Sequence, residues 1–312
     1  MWLPMVEVDY PIRFNVSQIG HIARDVITAG GRARAGAVFE NSWYIETPGS
    51  WVCIVGLSTA IGPLTLRCDT PPQIDWRRSG VRLGMAVHVD EAAIYVNPVF
   101  YFSLSAASIW TPSTAGYWTP ESLHRGLDCL VSWTRKNYQP DEGLGCTISS
   151  SSNGLSAVAK RAMASIRHLQ HWLCSVIPEQ HNLGEAPPRT VNQLIGLGPG
   201  LTPSGDDYLG GVMIALHLVG RGAIGKQLYG AIADKQAEAS NAISSCHLSA
   251  AARGSCNASI HAALNAILTG DIQSLPSALK KIDQIGHTSG WDSLAGAVTA
   301  LTICLRGSST AS

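Results

Sequence analysis

Residues 196–207 of this 312-residue chain read Gly-Leu-Gly-Pro-Gly-Leu-Thr-Pro-Ser-Gly-Asp-Asp, which crowds glycines, hydroxyls and two adjacent carboxylates ahead of an apolar stretch. Glycine lets backbone approach a ligand closely, and successive N–H groups in such a run can cradle oxygen atoms. A loop of this kind binds something polar, and Gly198, Gly200, Thr202, Ser204 and Gly205 are the candidate contacts. Part of the run occurs twice: Ser204-Gly205-Asp206-Asp207-Tyr208-Leu209-Gly210-Gly211 returns downstream as Ser289-Gly290-Trp291-Asp292-Ser293-Leu294-Ala295-Gly296, and both copies lead into an Ala-Leu pair.

Each copy reads as a helix start, with serine at the N-cap and aspartate three residues on, as in a capping box. Leu209, Val212, Met213 and Leu216 fall at helical spacing, and Leu294, Ala297, Val298 and Leu301 repeat it. Gly211 and Gly296 occupy equivalent interior positions, where glycine costs about 1 kcal/mol relative to alanine, so a close helix crossing is expected there. Two helices crossing that early bring both N-termini to one place, and free N–H groups with two positive dipole ends suit an anion. Ser289 and Gly290 then join the first loop as ligand contacts. The carboxylates of Asp206, Asp207 and Asp292 would repel an anion unless a cation bridged them, and magnesium, a hard ion taking oxygen ligands, is the candidate metal. The alternative is that Asp207 and Asp292 only cap their helices while Asp206 is solvated. Arg253, before Gly254, either clamps an anion with its planar fork or neutralises a helix C-terminus. His287, two residues before the second serine, either meets the ligand or shuttles a proton, or makes a structural hydrogen bond.

The elements that must position these groups change character once along the chain. A helical segment is expected near 17–28. Apolar runs at 37–45, 51–57, 64–68, 85–89 and 92–96, separated by Gly/Pro turns, predict an antiparallel sheet or small barrel. The stretch 111–120 breaks regular structure, and helical periodicity dominates beyond it. Helices are predicted at 121–137, 156–176, 206–219, 226–253, 258–268, 275–285 and 292–305, with a flexible Gly/Ser stretch at 143–154. The expected fold class is α+β, with a β-rich domain at 1–115 followed by a mostly helical domain at 116–312 that carries the glycine-rich loop.

Composition narrows the function classes. Twenty-two basic and twenty-two acidic residues cancel, and no Lys/Arg cluster occurs, so nucleic acid is a poor partner candidate. No stretch approaches the length of a membrane span, and a cytoplasmic location is expected. The eight cysteines lack any C-x-x-C spacing, which argues against a zinc ribbon or redox pair. Gly220 to Lys226 spells a phosphate-loop pattern, but Gln227 stands where a hydroxyl would hold magnesium. His168 and His171 sit at helical spacing beside Arg167 and Trp172, more in keeping with a partly exposed face than a metal site.

The run 196–211, the segment 249–254 and the run 286–296 together resemble the AllH-like family, whose name comes from a subunit of oxamate carbamoyltransferase. The resemblance implies interconversion of oxalurate plus phosphate with oxamate plus carbamoyl phosphate, a reaction of anaerobic allantoin breakdown. Such ligands carry a carboxylate or a phosphate, which suits paired helix N-termini with Arg253. The transfer needs a polarised carbamoyl carbonyl and a stabilised oxyanion, work for backbone N–H groups, Thr202, Ser204 or His287. The resemblance thus implies a catalytic set of His287, Ser204 and Asp207, a small anionic substrate and other carbamoyltransferase subunits as partners. Two other classes stay open: a non-catalytic scaffold subunit whose doubled motif is packing architecture, and a stand-alone magnesium-dependent enzyme acting on a phosphorylated metabolite.

Overall fold

The computed structural model describes residues 11–138, 142–149, 155–178 and 185–309. The chain divides into two compact units, Met1–Thr111 and Pro112–Ser312. The first is built on strands. Ile12, Phe14 and Val16 alternate with Arg13 and Asn15, and this period of two makes β1 (Ile12–Gly20) a strand where a helix was expected to begin; the helix α1 is confined to His21–Thr28. Strands β2 (Gly31–Val38), β3 (Ser42–Thr47), β4 (Ser50–Gly56), β5 (Thr65–Cys68), β6 (Ala86–Val89), β7 (Ala93–Val96), β8 (Phe100–Ser103) and β9 (Ser108–Trp110) follow.

Their order is β5-β4-β3-β2-β6-β7-β8-β1-β9, and a β1–β5 pairing closes eight of them into a barrel. Most pairings are antiparallel, as expected; β1 with β8, β1 with β9 and β4 with β5 are parallel. A bulge in β1 between Val16 and Gln18 accompanies its change of partner, because an extra residue bends a strand and increases its twist. Inside, Phe14 packs against Phe100 and Phe102 with ring centroids 5.4 and 5.6 Å apart, and Trp43 and Trp76 fill the space beside them. Side chains therefore occupy this interior, and no candidate site residue lies in the unit.

The second unit is helix packed on helix. It runs through α2 (Pro120–Asn137), α3 (Ala157–Val176), a 3-10 turn at Arg189–Leu194, α4 (Ser204–Leu218), α5 (Gly222–Ala239), α6 (Ala242–Ala251), α7 (Ala258–Thr269), α8 (Leu275–Ile282) and α9 (Ser289–Ser309). The helix expected at 226–253 is two helices. Asn241 accepts a hydrogen bond from Ser244 N at 3.0 Å and caps α6, so the chain turns between Ala239 and Ala242. The expected flexible stretch at 143–154 is ordered where described: Gly145–Ser149 forms a 3-10 turn with Leu144, Cys146 and Ile148 buried, while 150–154 lies outside the described residues.

Helix α4 is apolar or small on nearly every side, which is the signature of a helix with neighbours all round. It contacts α5, α6 and α9. At the α4–α9 crossing, a Cβ on Gly211 would overlap the Ser293 carbonyl oxygen and one on Gly296 would overlap that of Tyr208. The two equivalent glycines are each required by the other helix's backbone, and the crossing expected from the repeat is the centre of this unit. No helix among the described residues is long and apolar enough to cross a membrane.

Candidate functional site

The two motif copies meet by reciprocal pairing. Ser289, which opens α9, lies beside the carboxyl of Asp207 on α4, and Ser204, which opens α4, lies beside the carboxyl of Asp292 on α9. The Thr202 and Ser289 hydroxyls are 2.8 Å apart and tie the glycine-rich loop to the second copy. Each serine is the first residue of its helix rather than the cap. Pro203 precedes α4 without a side-chain cap, and one first-turn amide of each helix is met by neighbouring backbone: Gly205 N donates to Leu197 O at 2.9 Å and Gly290 N to Ile285 O at 3.1 Å. The capping-box expectation is thus replaced by packing. The second glycine of each copy explains why: a Cβ on Gly205 would strike the Leu194 carbonyl and one on Gly290 that of Ile282, so both helix starts press against neighbouring backbone.

The three aspartates have three different environments. Asp206 is buried, with Oδ1 accepting from Gly196 N at 2.8 Å and Oδ2 accepting from the Ser240 and Ser244 hydroxyls at 2.7 and 2.6 Å. It is neither solvated nor free to hold magnesium; it fastens the loop to the α5–α6 junction. Asp292 is fully buried and accepts from Leu144 N at 2.5 Å, which pins the segment before the 3-10 turn of 145–149. Its Oδ2 has no hydrogen-bond partner among the described residues. Burial raises its carboxyl above the usual range, opposed by the Leu144 amide and the Ser204 hydroxyl. Asp207 is half-buried, but its Oδ2 is shut from solvent and equally without a partner. Burial pushes its carboxyl well up, the nearby Asp292 and Asp206 charges push the same way, and the Ser289 and Thr202 hydroxyls oppose them. Among the described residues no group of three His, Cys, Asp or Glu side chains is arranged to hold a metal ion, and the Asp206–Asp207–Asp292 set fails because Asp206 is fully engaged elsewhere.

The remaining candidates separate. Gly198 lies against Ser204 with φ +113°, and Gly200 sits with φ +94° and open space around its α-carbon. Arg253 follows α6 at its far end; the adjoining Ala252 carbonyl meets His217 Nε2 at 2.8 Å, and His217 belongs to the last turn of α4. A helix rises about 1.5 Å per residue, so Arg253 lies roughly 20 Å from the glycine-rich loop and closes no ring around it. Its Nε donates to Ser249 O at 3.3 Å, a local contact. His287 is exposed and ion-pairs with Glu142 at 2.9 Å, so its ring engages the surface and not the helix crossing.

One group was missed in the sequence. Against the loop opens a cavity of about 410 Å³, lined by residues 195–199, Gln193 and the start of α3, where Arg161 supplies the one charged side chain. Helical periodicity places Arg161 on an exposed face, and only the fold brings that face to the loop.

The second unit is therefore a helical body with a doubled helix-start motif and a polar pocket beside its first copy. Residues 194–301, about a third of the chain, match the family model of oxamate carbamoyltransferase subunit AllH. No solved structure matches the chain.

Proposed function

We propose that this protein is a subunit of an oxamate carbamoyltransferase-like enzyme and contributes a small-anion pocket to it. The observation that carries the reading is the AllH match over 194–301, a span that holds the glycine-rich loop and both motif copies. The geometry supports it: donors line the cavity at the loop, Gly198 joins that cavity to Ser204, and behind Ser204 stand the two raised carboxyls.

In the transfer, a phosphate oxygen attacks the ureido carbonyl of oxalurate, a tetrahedral oxyanion forms, and the C–N bond breaks as oxamate nitrogen takes up a proton. In this reading backbone N–H groups of the loop meet the oxyanion, with Ser204 the candidate hydroxyl. Asp207, whose carboxyl burial pushes well above its usual range, is the candidate in this reading for the proton that the leaving nitrogen needs. Partner subunits complete the enzyme in this reading, and the location is cytoplasmic. A scaffold role is favoured by one observation, the full structural engagement of Asp206.

Titration calorimetry with phosphate, oxamate and carbamoyl phosphate, with and without partner subunits, tests the reading. Binding that weakens when Ser204→Ala and Ser289→Ala are combined supports an active pocket at the loop. Binding unchanged by that pair places the ligand elsewhere, and absence of binding under both conditions leaves the scaffold role.

A further inference from the structure

We infer that Arg161 is the cation that fixes a small carboxylate- or phosphate-bearing ligand in the cavity beside the glycine-rich loop. The inference deepens the proposed function and rests on it only for the ligand's identity. Three features of the cavity select an anion by themselves. Arg161 makes no ion pair or hydrogen bond among the described residues, so its guanidinium fork is free to meet a ligand. Gln193 accepts from the Ser165 hydroxyl at 3.3 Å through its side-chain oxygen, which leaves the amide NH2, a donor, as its free end. The Gly198 N–H makes no hydrogen bond among the described residues, and its φ of +113° holds the backbone in a conformation that side chains other than glycine rarely adopt.

The lining contains no aspartate or glutamate. The nearest carboxylate in sequence, Asp206, is turned behind the loop with both oxygens occupied. Among the described lining residues, Arg161 is therefore a positive charge with no carboxylate to balance it. A planar carboxylate or a phosphate matches the guanidinium fork and takes the remaining donors on its other oxygens. Carboxylate and phosphate share this recognition chemistry, and separate titrations distinguish them.

The test is equilibrium binding of inorganic phosphate, oxamate and carbamoyl phosphate to the full-length chain, its Arg161→Ala variant and its Arg161→Lys variant, with thermal melting of all three. Arg161 is exposed, so the melting temperatures are expected to agree. At least one anion should bind the parent chain, weaken by about tenfold or more in Arg161→Ala as one charge-assisted hydrogen bond is lost, and fall between the two in Arg161→Lys. Binding within about twofold of the parent in Arg161→Ala overturns the assignment and leaves the transferase reading standing. No binding of any of the three to the parent chain also overturns it, because every group the inference invokes lies on this chain. The transferase reading itself is tested separately, by carbamoyl transfer in the assembled subunits with and without this chain.

Discussion

At the scale of the residue, the two neighbours Asp206 and Asp207 have opposite assignments. Asp206 is held by three donors and is expected to be structural: Asp206→Ala should cost about 2–4 kcal/mol in denaturant unfolding, the loss of several hydrogen bonds to a buried charge. Asp207 has a solvent-shielded oxygen with no partner, and Asp207→Asn should leave stability at neutral pH unchanged or raised while transfer activity falls. The pH dependence has a definite sign. Because the folded-state pKa of Asp207 is raised above the unfolded value of 3.8, the native state binds the extra proton, so stability falls as pH rises from about 4 through the folded-state pKa. Asp292 acts in the same direction. Unfolding of the parent and of Asp207→Asn measured across this range should show a shallower decline in the variant; parallel curves would contradict a raised Asp207. The motif exposed both carboxylates to view in the sequence but could not divide their roles. Adjacent helical residues point about 100° apart, and which direction meets Gly196, Ser240 and Ser244 depends on a turn after α5 that periodicity alone merged into one helix. Arg253 was a candidate for its planar fork and for the family-like segment 249–254, whereas α6 carries it to the opposite end of α4.

At the scale of the element, the repeat was the strongest signal, since glycine at equivalent interior positions of two helices has few uses other than close approach. Gly211→Ala or Gly296→Ala should destabilise by about 1–3 kcal/mol, because each new methyl group meets a carbonyl of the opposing helix and the backbones must part. Gly230→Ala in α5 is the control: nothing lies within 4 Å of the added Cβ, and the substitution should stabilise by about 0.5–1 kcal/mol. Equal effects at the three sites would show that helix propensity, and not the crossing, governs them. Strand β1 went unread although its first five residues alternate, because the following sequence favours a helix and the boundary at Gly20 is set tertiarily. A Cβ there would overlap the Gly62 and Pro63 carbonyl oxygens, and the Ala23 N–H of α1 donates to Pro63 O at 2.8 Å.

At the scale of the whole molecule, a neutral chain of two units, one a filled barrel and one a helical body, concentrates its candidate chemistry in the second. The α+β class was legible from composition and turn residues. The cavity was not, because its wall combines α3 with a loop more than 30 residues further along, and no periodicity links them. The central claim is that this chain supplies an anion pocket to a carbamoyltransferase, and the most direct measurement is carbamoyl phosphate formed from oxalurate and phosphate by the assembled subunits. The account predicts activity that requires this chain, collapses with Asp207→Asn, and falls with Arg161→Ala through a raised KM for the anion. Full activity in assemblies lacking the chain, or with both substitutions in place, would contradict it.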